Sequence, residues 1–172
     1  MTIKRFTLAL GSALLFSCAT SVMATQDCQS NIPASTPAQR FNDQGNGTLI
    51  DTYTGLMWKK CLEGQNGERC VGQALRMEWD SAANLAQLVG SDNFAGYNGW
   101  RLPTLDELNS IVELRCVEPS ANLEVFPQMP AVGLWSINQA DPRAWSMDFD
   151  KGRAYENFKG AGKYIRLVRN LR

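Results

Sequence analysis

The sequence predicts an α+β fold. Two mid-chain segments carry apolar residues at helical spacing. On either side of them, short apolar runs alternate with Gly, Asn and Asp, the pattern of short strands joined by turns.

The elements follow in chain order. Lys4 and Arg5 make a basic start, and Phe6 to Phe16 is almost wholly apolar or small. Val22-Met23-Ala24 then has the small-residue pattern of a secretory cleavage site, so residues 1–24 are read as a signal peptide. The apolar run is shorter than the ~20 residues of a spanning helix, and no later segment is apolar enough to cross a membrane. Leu15-Phe16-Ser17-Cys18 resembles a lipobox. A lipid anchor at Cys18 is therefore the alternative to ordinary cleavage, which the residues after it fit better. Either way the expected location is periplasmic or secreted.

Residues 25–39, "TQDCQSNIPASTPAQ", are polar with two prolines and read as an extended arm without a core of its own. The domain is expected over residues 40–172. "RFNDQGNGTLIDTYTGLMWKK" reads as strand, Gly-rich turn, strand, a second turn at Asp51 to Gly55, and a strand through Leu56-Met57-Trp58. Trp79, Ala82, Ala83 and Ala86 recur at helical spacing beside Leu85 and Leu88. They predict a helix from Asp80 to Val89 that ends near Gly90. In "GYNGWRLPTLDELNSIV", a strand Trp100-Arg101-Leu102 is stopped by Pro103. Thr104 and Glu107 have capping-box spacing ahead of an apolar face made by Leu105, Leu108, Ile111 and Val112, a second helix. Beyond Cys116 the segment from Val117 to Gly133 reads as an irregular loop. Strands follow at Leu134 to Asn138 and at Ala144 to Phe149. The second has Trp145, Met147 and Phe149 on one face and Ser146 and Asp148 on the other. "DKG" is a hairpin turn, Arg153 to Phe158 returns, and Tyr164 to Arg169 closes the chain with Ile165 and Leu167 sharing a face.

Five cysteines occur. Cleavage or lipidation leaves Cys28, Cys61, Cys70 and Cys116, an even set in an exported chain, which predicts two disulfides. Cys61 and Cys70 bracket the polar segment "LEGQNGER" and are paired on that ground; Cys28 then pairs with Cys116 and ties down the arm. A zinc site of four cysteines is disfavoured by the absence of CxxC spacing.

Charge and chemistry exclude more than they assign. There are 17 basic and 17 acidic residues. Removing Lys4 and Arg5 with the leader tips the balance slightly acidic, which does not suggest a nucleic-acid partner. The sequence holds no histidine, so Ser-His and Cys-His nucleophile pairs and histidine bases are excluded. Asp106-Glu107 sit at a helix start, where negative charge is expected, and Asp148 and Asp150 flank a turn. Neither pair has an evident acid or base partner, so no catalytic residue is assigned. "GNGT" lacks the context of a nucleotide loop. "NDQGNGTLID" is rich in oxygen ligands but not spaced as an EF-hand loop, and is read as a plain turn, with a structural calcium as the alternative. No metal or cofactor is expected. Asn46-Gly47-Thr48 matches a glycosylation sequon too common to carry weight.

Trp58, Trp100 and Trp145 lie in apolar strand patterns and are expected to be buried. Recognition is expected on the Val117–Gly133 segment and on the C-terminal turns, since loops on a rigid scaffold usually carry it. The tail from Arg143 is basic. For an anionic glycan, Arg153, Lys159 and Lys163 are the expected contacts, with Tyr155 as a stacking platform.

The pieces "RFNDQGNGTLIDTYTGLMWKK", "WDSAANLA", "GYNGWRLPTLDELNSIV", "VFP", "LWSIN", "AWSMDFDKG" and "IRLVRN" together resemble the DUF1566 family, the domain at the C-terminus of the Legionella collagen-like adhesin. The most specific features are Asp51, Gly55, Leu56 and Trp58 in one motif and Trp100 to Thr104 in the other. The resemblance implies a compact C-type-lectin-like domain with two helices and an irregular antiparallel sheet. It also implies kinship with formylglycine-generating enzymes, oxidases that need two free adjacent thiols and copper; the expected bridging of all four cysteines argues against that activity. Leu134 and Leu167 depart from the family pattern, and the adhesin's collagen-like repeats are absent. The expected function is an exported non-catalytic binding module for glycans or another cell-surface ligand. The alternative is a structural or accessory protein of a cell-envelope assembly that binds a protein partner.

Overall fold

The computed structural model describes residues 26–171, so the leader, its cleavage site and Cys18 lie outside the described residues. The fold is α+β. Strands β1 (Asp27–Cys28), β2 (Phe41–Asp43), β3 (Thr48–Asp51), β4 (Leu56–Lys59) and β5 (Arg76–Met77) precede helix α1 (Trp79–Ser91). Helix α2 (Leu105–Ser110) follows, then β6 (Cys116–Val117), β7 (Gly133–Ala140), β8 (Arg143–Asp148), β9 (Arg153–Phe158), β10 (Lys163–Tyr164) and β11 (Val168–Asn170). They form three sheets in the orders β1-β6, β5-β10-β7-β8-β9 and β11-β4-β3-β2. Pairing is antiparallel except where β10 meets β7 in parallel at Tyr164 and Leu134, a departure from the wholly antiparallel sheet expected.

The central strands are buried on both faces. Met57 and Trp58 of β4 are neighbours, yet Met57 packs with Trp79, Trp100, Trp135 and Ile165, and Trp58 with Leu108, Ile111, Phe126 and Met147. Leu134 and Trp135 divide the same way, as do Leu167 and Val168. Side chains alternate across a strand, so such continuous apolar runs join two cores, one under α1 and one under α2.

The helix at Thr104 follows its expected design. Its hydroxyl accepts from the Glu107 amide at 3.1 Å while the Glu107 carboxylate accepts from the Thr104 amide at 2.7 Å. Arg101 grips the same carboxylate with two bonds of 2.7 Å. Thr104→Ala is expected to cost ~1 kcal/mol; denaturant melts check it, and an unchanged midpoint would mean that the cap contributes nothing.

Several expectations are corrected. Trp100-Arg101-Leu102 is not a strand but a single bridge between Arg101 and Val168, because Pro103 and the cap turn the chain away at once. Helix α1 does end near Gly90, at Ser91, but capping is not what requires the glycine at position 90. Its role is close approach, since a Cβ there would sit 2.6 Å from the Trp100 carbonyl oxygen. The Val117–Gly133 segment is not a free loop: Ala121, Val125, Phe126 and Met129 are core. Trp145 is only half-buried, because it lies in β8 beside the edge strand β9, which nothing covers among the described residues. The closing run Tyr164 to Arg169 is two short strands, with Ile165, Arg166 and Leu167 buried as it crosses between sheets.

Both disulfides form as expected, Cys28–Cys116 and Cys61–Cys70. The arm is docked rather than loose. Cys28 lies opposite Cys116 in the β1–β6 register. The buried Glu113 carboxylate accepts from the Ser35 and Thr36 amides, each at 3.0 Å, and from the Thr36 hydroxyl at 2.8 Å.

Candidate functional site

The residues of the two sequence motifs hold the scaffold rather than line a site. Asp51 is 0% exposed. Its carboxylate accepts from Arg40 Nε at 2.7 Å, from a second Arg40 nitrogen, from the Thr54 hydroxyl at 2.7 Å and from the Tyr53 amide at 3.0 Å. Burial opposes its charge, but these donors outweigh burial and hold its pKa below the ordinary value. Trp100 donates its indole N–H to the Tyr97 carbonyl at 2.9 Å. Glu107 is committed to the cap and Arg101, and Asp148 to the Asp150 amide at 2.8 Å. Of the carboxylates considered for catalysis, Glu107 and Asp148 thus hold turns together.

The sequence-predicted contacts gather in part on one face of the five-stranded sheet. Arg153 lies opposite Asp148, and Asp148 opposite Gly133. Lys163 lies beside Gly133, where an added Cβ would meet its Cδ at 2.9 Å. The row therefore runs Lys163, Gly133, Asp148, Arg153 across four strands, with neighbouring strands ~4.8 Å apart. Trp135, Ser146 and Tyr155 form the next same-face row, and Trp135 packs in the core under α1. Tyr155 is 49% exposed. Lys159 is engaged elsewhere: it pairs with Asp141 at 2.9 Å and sits 4.7 Å above the Trp79 ring. Sequence reasoning missed Arg76, which joins Lys163 and Asp148 around a groove of about 330 Å³ and donates to the Gly162 carbonyl at 2.8 Å. The signal was not local, since only the β5–β10 pairing of Arg76 with Tyr164 brings it there. None of Arg76, Arg153 and Lys163 is in an ion pair among the described residues.

A second concavity of about 310 Å³ lies at the far sheet. The β3–β4 register sets Thr48 opposite Lys59, and the Lys60 amide donates to the Gly47 carbonyl at 2.9 Å. The Gly45-Asn46-Gly47 turn thereby faces the loop that Cys61–Cys70 closes, with Lys59, Lys60 and Phe94 between them. Lys60 pairs with Asp43 at 2.6 Å, and Lys59 with Glu63 at 2.6 Å while lying 4.0 Å over the Phe94 ring. Arg166, 0% exposed, supports the strand beneath. It donates to the Lys59 carbonyl at 2.8 Å and to that of Lys60, and stacks 4.5 Å from Phe126. Burial pulls its pKa down to about 9, against the pull of Glu63, so it remains charged at neutral pH. Both walls are visible in the sequence; that they face each other is a consequence of strand register.

These features define a class: a disulfide-braced α+β domain whose motif residues lock turns and whose open polar groups lie in shallow concavities. The chain matches the model of the Lcl C-terminal domain over residues 47–169, and it belongs to that family, as the DUF1566 resemblance implied. A comparison with curated proteins gives no match. No helix among the described residues is long and apolar enough to cross a membrane.

Proposed function

We propose that this chain is an exported, non-catalytic, adhesin-like binding module that takes an anionic glycan on the α1-side face of its five-stranded sheet. The observation that carries the reading is the pair of unpaired cations Lys163 and Arg153, in one same-face row beside exposed Tyr155; Arg76 borders the Lys163 groove from the β5 edge, its register with Tyr164 and Leu134 setting it in the opposite-face row. Cations of this kind bind sulfate or carboxylate groups, and a sugar's C–H face stacks on an aromatic ring. Both cysteine pairs are bridged, which fits an oxidising compartment and leaves neither as the free thiol pair an oxidase would need. The two helices and irregular sheets fit the C-type-lectin-like architecture that the resemblance implied. Export by the leader, with the lipid anchor at Cys18 as its alternative, belongs to the same reading.

The test is a binding isotherm with a sulfated oligosaccharide at low and high salt. Affinity is expected to fall steeply with salt, since exposed charges are screened over ~8 Å at physiological ionic strength. An Arg76/Arg153/Lys163 triple Ala variant should bind ~10-fold or more weakly. Unchanged affinity in the variant would sink the placement. A second reading, a cell-envelope assembly protein, has its own support in β9. That strand is a sheet edge with exposed residues on both faces, Tyr155 on one and Phe158 on the other, and such an edge can take a partner's strand. Salt-independent capture of an envelope protein with no glycan binding would favour it.

A further inference from the structure

We propose that the cleft between the Gly45–Gly47 turn and the Cys61–Cys70 loop is a second ligand site, built for an uncharged sugar ring. It is independent of the sheet-face reading and lies on a different sheet.

The cleft's size, about 310 Å³, falls at the lower end of small-ligand sites. Its walls are fixed before any ligand arrives. One is closed by the disulfide and by paired bonds of 2.9 Å between the Asn66 and Val71 backbones. The other is held by Asn46, whose side-chain oxygen accepts from the Thr48 hydroxyl at 2.7 Å. Backbone strain gathers here as well. Five non-glycine residues among those described have positive φ, and three of them, Cys70 at 51°, Asn93 at 53° and Ala95 at 55°, lie in the segments that present the loop and Phe94. Such strain persists only where the surroundings hold it, and it clusters at binding sites.

The lining chooses the ligand class. Lys60 is neutralised by Asp43 and Lys59 by Glu63, so the cleft offers no unpaired cation to an anion, unlike the sheet face. What remains open is neutral hydrogen-bonding capacity and one acid. The Asn66 side-chain amide and the Glu68 carboxylate have no hydrogen-bond partner among the described residues, and both line the cleft. A carboxylate beside an amide matches a pair of sugar hydroxyls, which donate to the first and accept from the second. The glycine backbones at Gly47 and Gly67, with the part of the Phe94 ring that Lys59 does not cover, supply the apolar contact for the ring's C–H face.

The experiment titrates the disulfide-bonded protein with the methyl glycosides of glucose, galactose, mannose and N-acetylglucosamine, following backbone amide NMR shifts. At least one glycoside should saturate shifts at residues 45–47 and 65–68, with the same affinity at low and high salt. Asn66→Ala and Glu68→Gln remove exposed groups without internal partners, so the fold should persist, and each should weaken binding ~10-fold. The Arg76/Arg153/Lys163 variant should bind these glycosides normally. Shifts absent from the cleft for all four glycosides, or binding that those two substitutions leave unchanged, would overturn the site. Binding there only of charged sugars, lost at high salt, would overturn the ligand class.

Discussion

Asp51→Ala is expected to destabilise the domain by ~3–4 kcal/mol, the cost of stranding one partner of a buried ion pair. Asp51 and Arg40 have side-chain exposures of 0% and 11%, so water cannot take over the Arg40 charge. The substitution also removes the acceptor for the Thr54 hydroxyl and the Tyr53 amide, which shape the turn between β3 and β4. In urea the midpoint should fall by about 1–2 M. Asp51→Asn keeps one turn acceptor and should lose less. The same group sets part of the acid limit. Its folded pKa lies below 3.8, as those of Glu107 and Glu113 lie below 4.5, because donors outweigh burial at each. A lowered folded pKa contributes stability that is full above the unfolded value and lost as pH falls through the folded one. The parent should therefore lose stability below pH ~4, and Asp51→Ala should lose less over that window. Parallel acid curves for the two proteins would show that the fold does not lower the Asp51 pKa.

What the sequence made legible was local. The β2-β3-β4 meander, the capping box at Thr104, the "DKG" hairpin and the Cys61–Cys70 loop each depend on residues within a few positions of one another, and each stands close to where it was expected. What it hid was set by distant contacts. Gly90 carries the same glycine signal as a helix end, but Trp100 has to pack against it before close approach becomes the explanation. Arg166 looks like one more basic residue of the tail; only the crossing between sheets buries it under Lys59 and Lys60. Trp145 shares its face with the buried Met147 and Phe149, yet no pattern along the strand reveals that its neighbour β9 is uncovered. The same limit split the candidate site. Arg153 and Lys163 were legible as charge, whereas Arg76 and the opposed walls of the second cleft required strand register.

The two disulfides should prove unequal, in opposite orders for stability and for binding. Cys28 and Cys116 are 88 residues apart and Cys61 and Cys70 only 9. If a cross-link acts mainly by restricting the unfolded chain, replacing the first pair with Ala costs about 4–5 kcal/mol and the second about 2–3 kcal/mol. In the folded state the arm keeps its β1–β6 pairing and its bonds to Glu113, so the larger loss arises from a freer unfolded chain. The shorter bridge braces a cleft wall, and Cys61 itself lines the cleft. Its removal should therefore weaken glycoside binding more than removal of the longer bridge, even in solutions where both variants remain folded. Urea melts of the two double variants, paired with the glycoside titrations, separate the effects. Equal midpoints would mean that native contacts, not loop closure, set the contribution of each bridge. Undiminished glycoside binding without Cys61–Cys70 would mean that the wall holds its shape through the Asn66 and Val71 backbone pair alone.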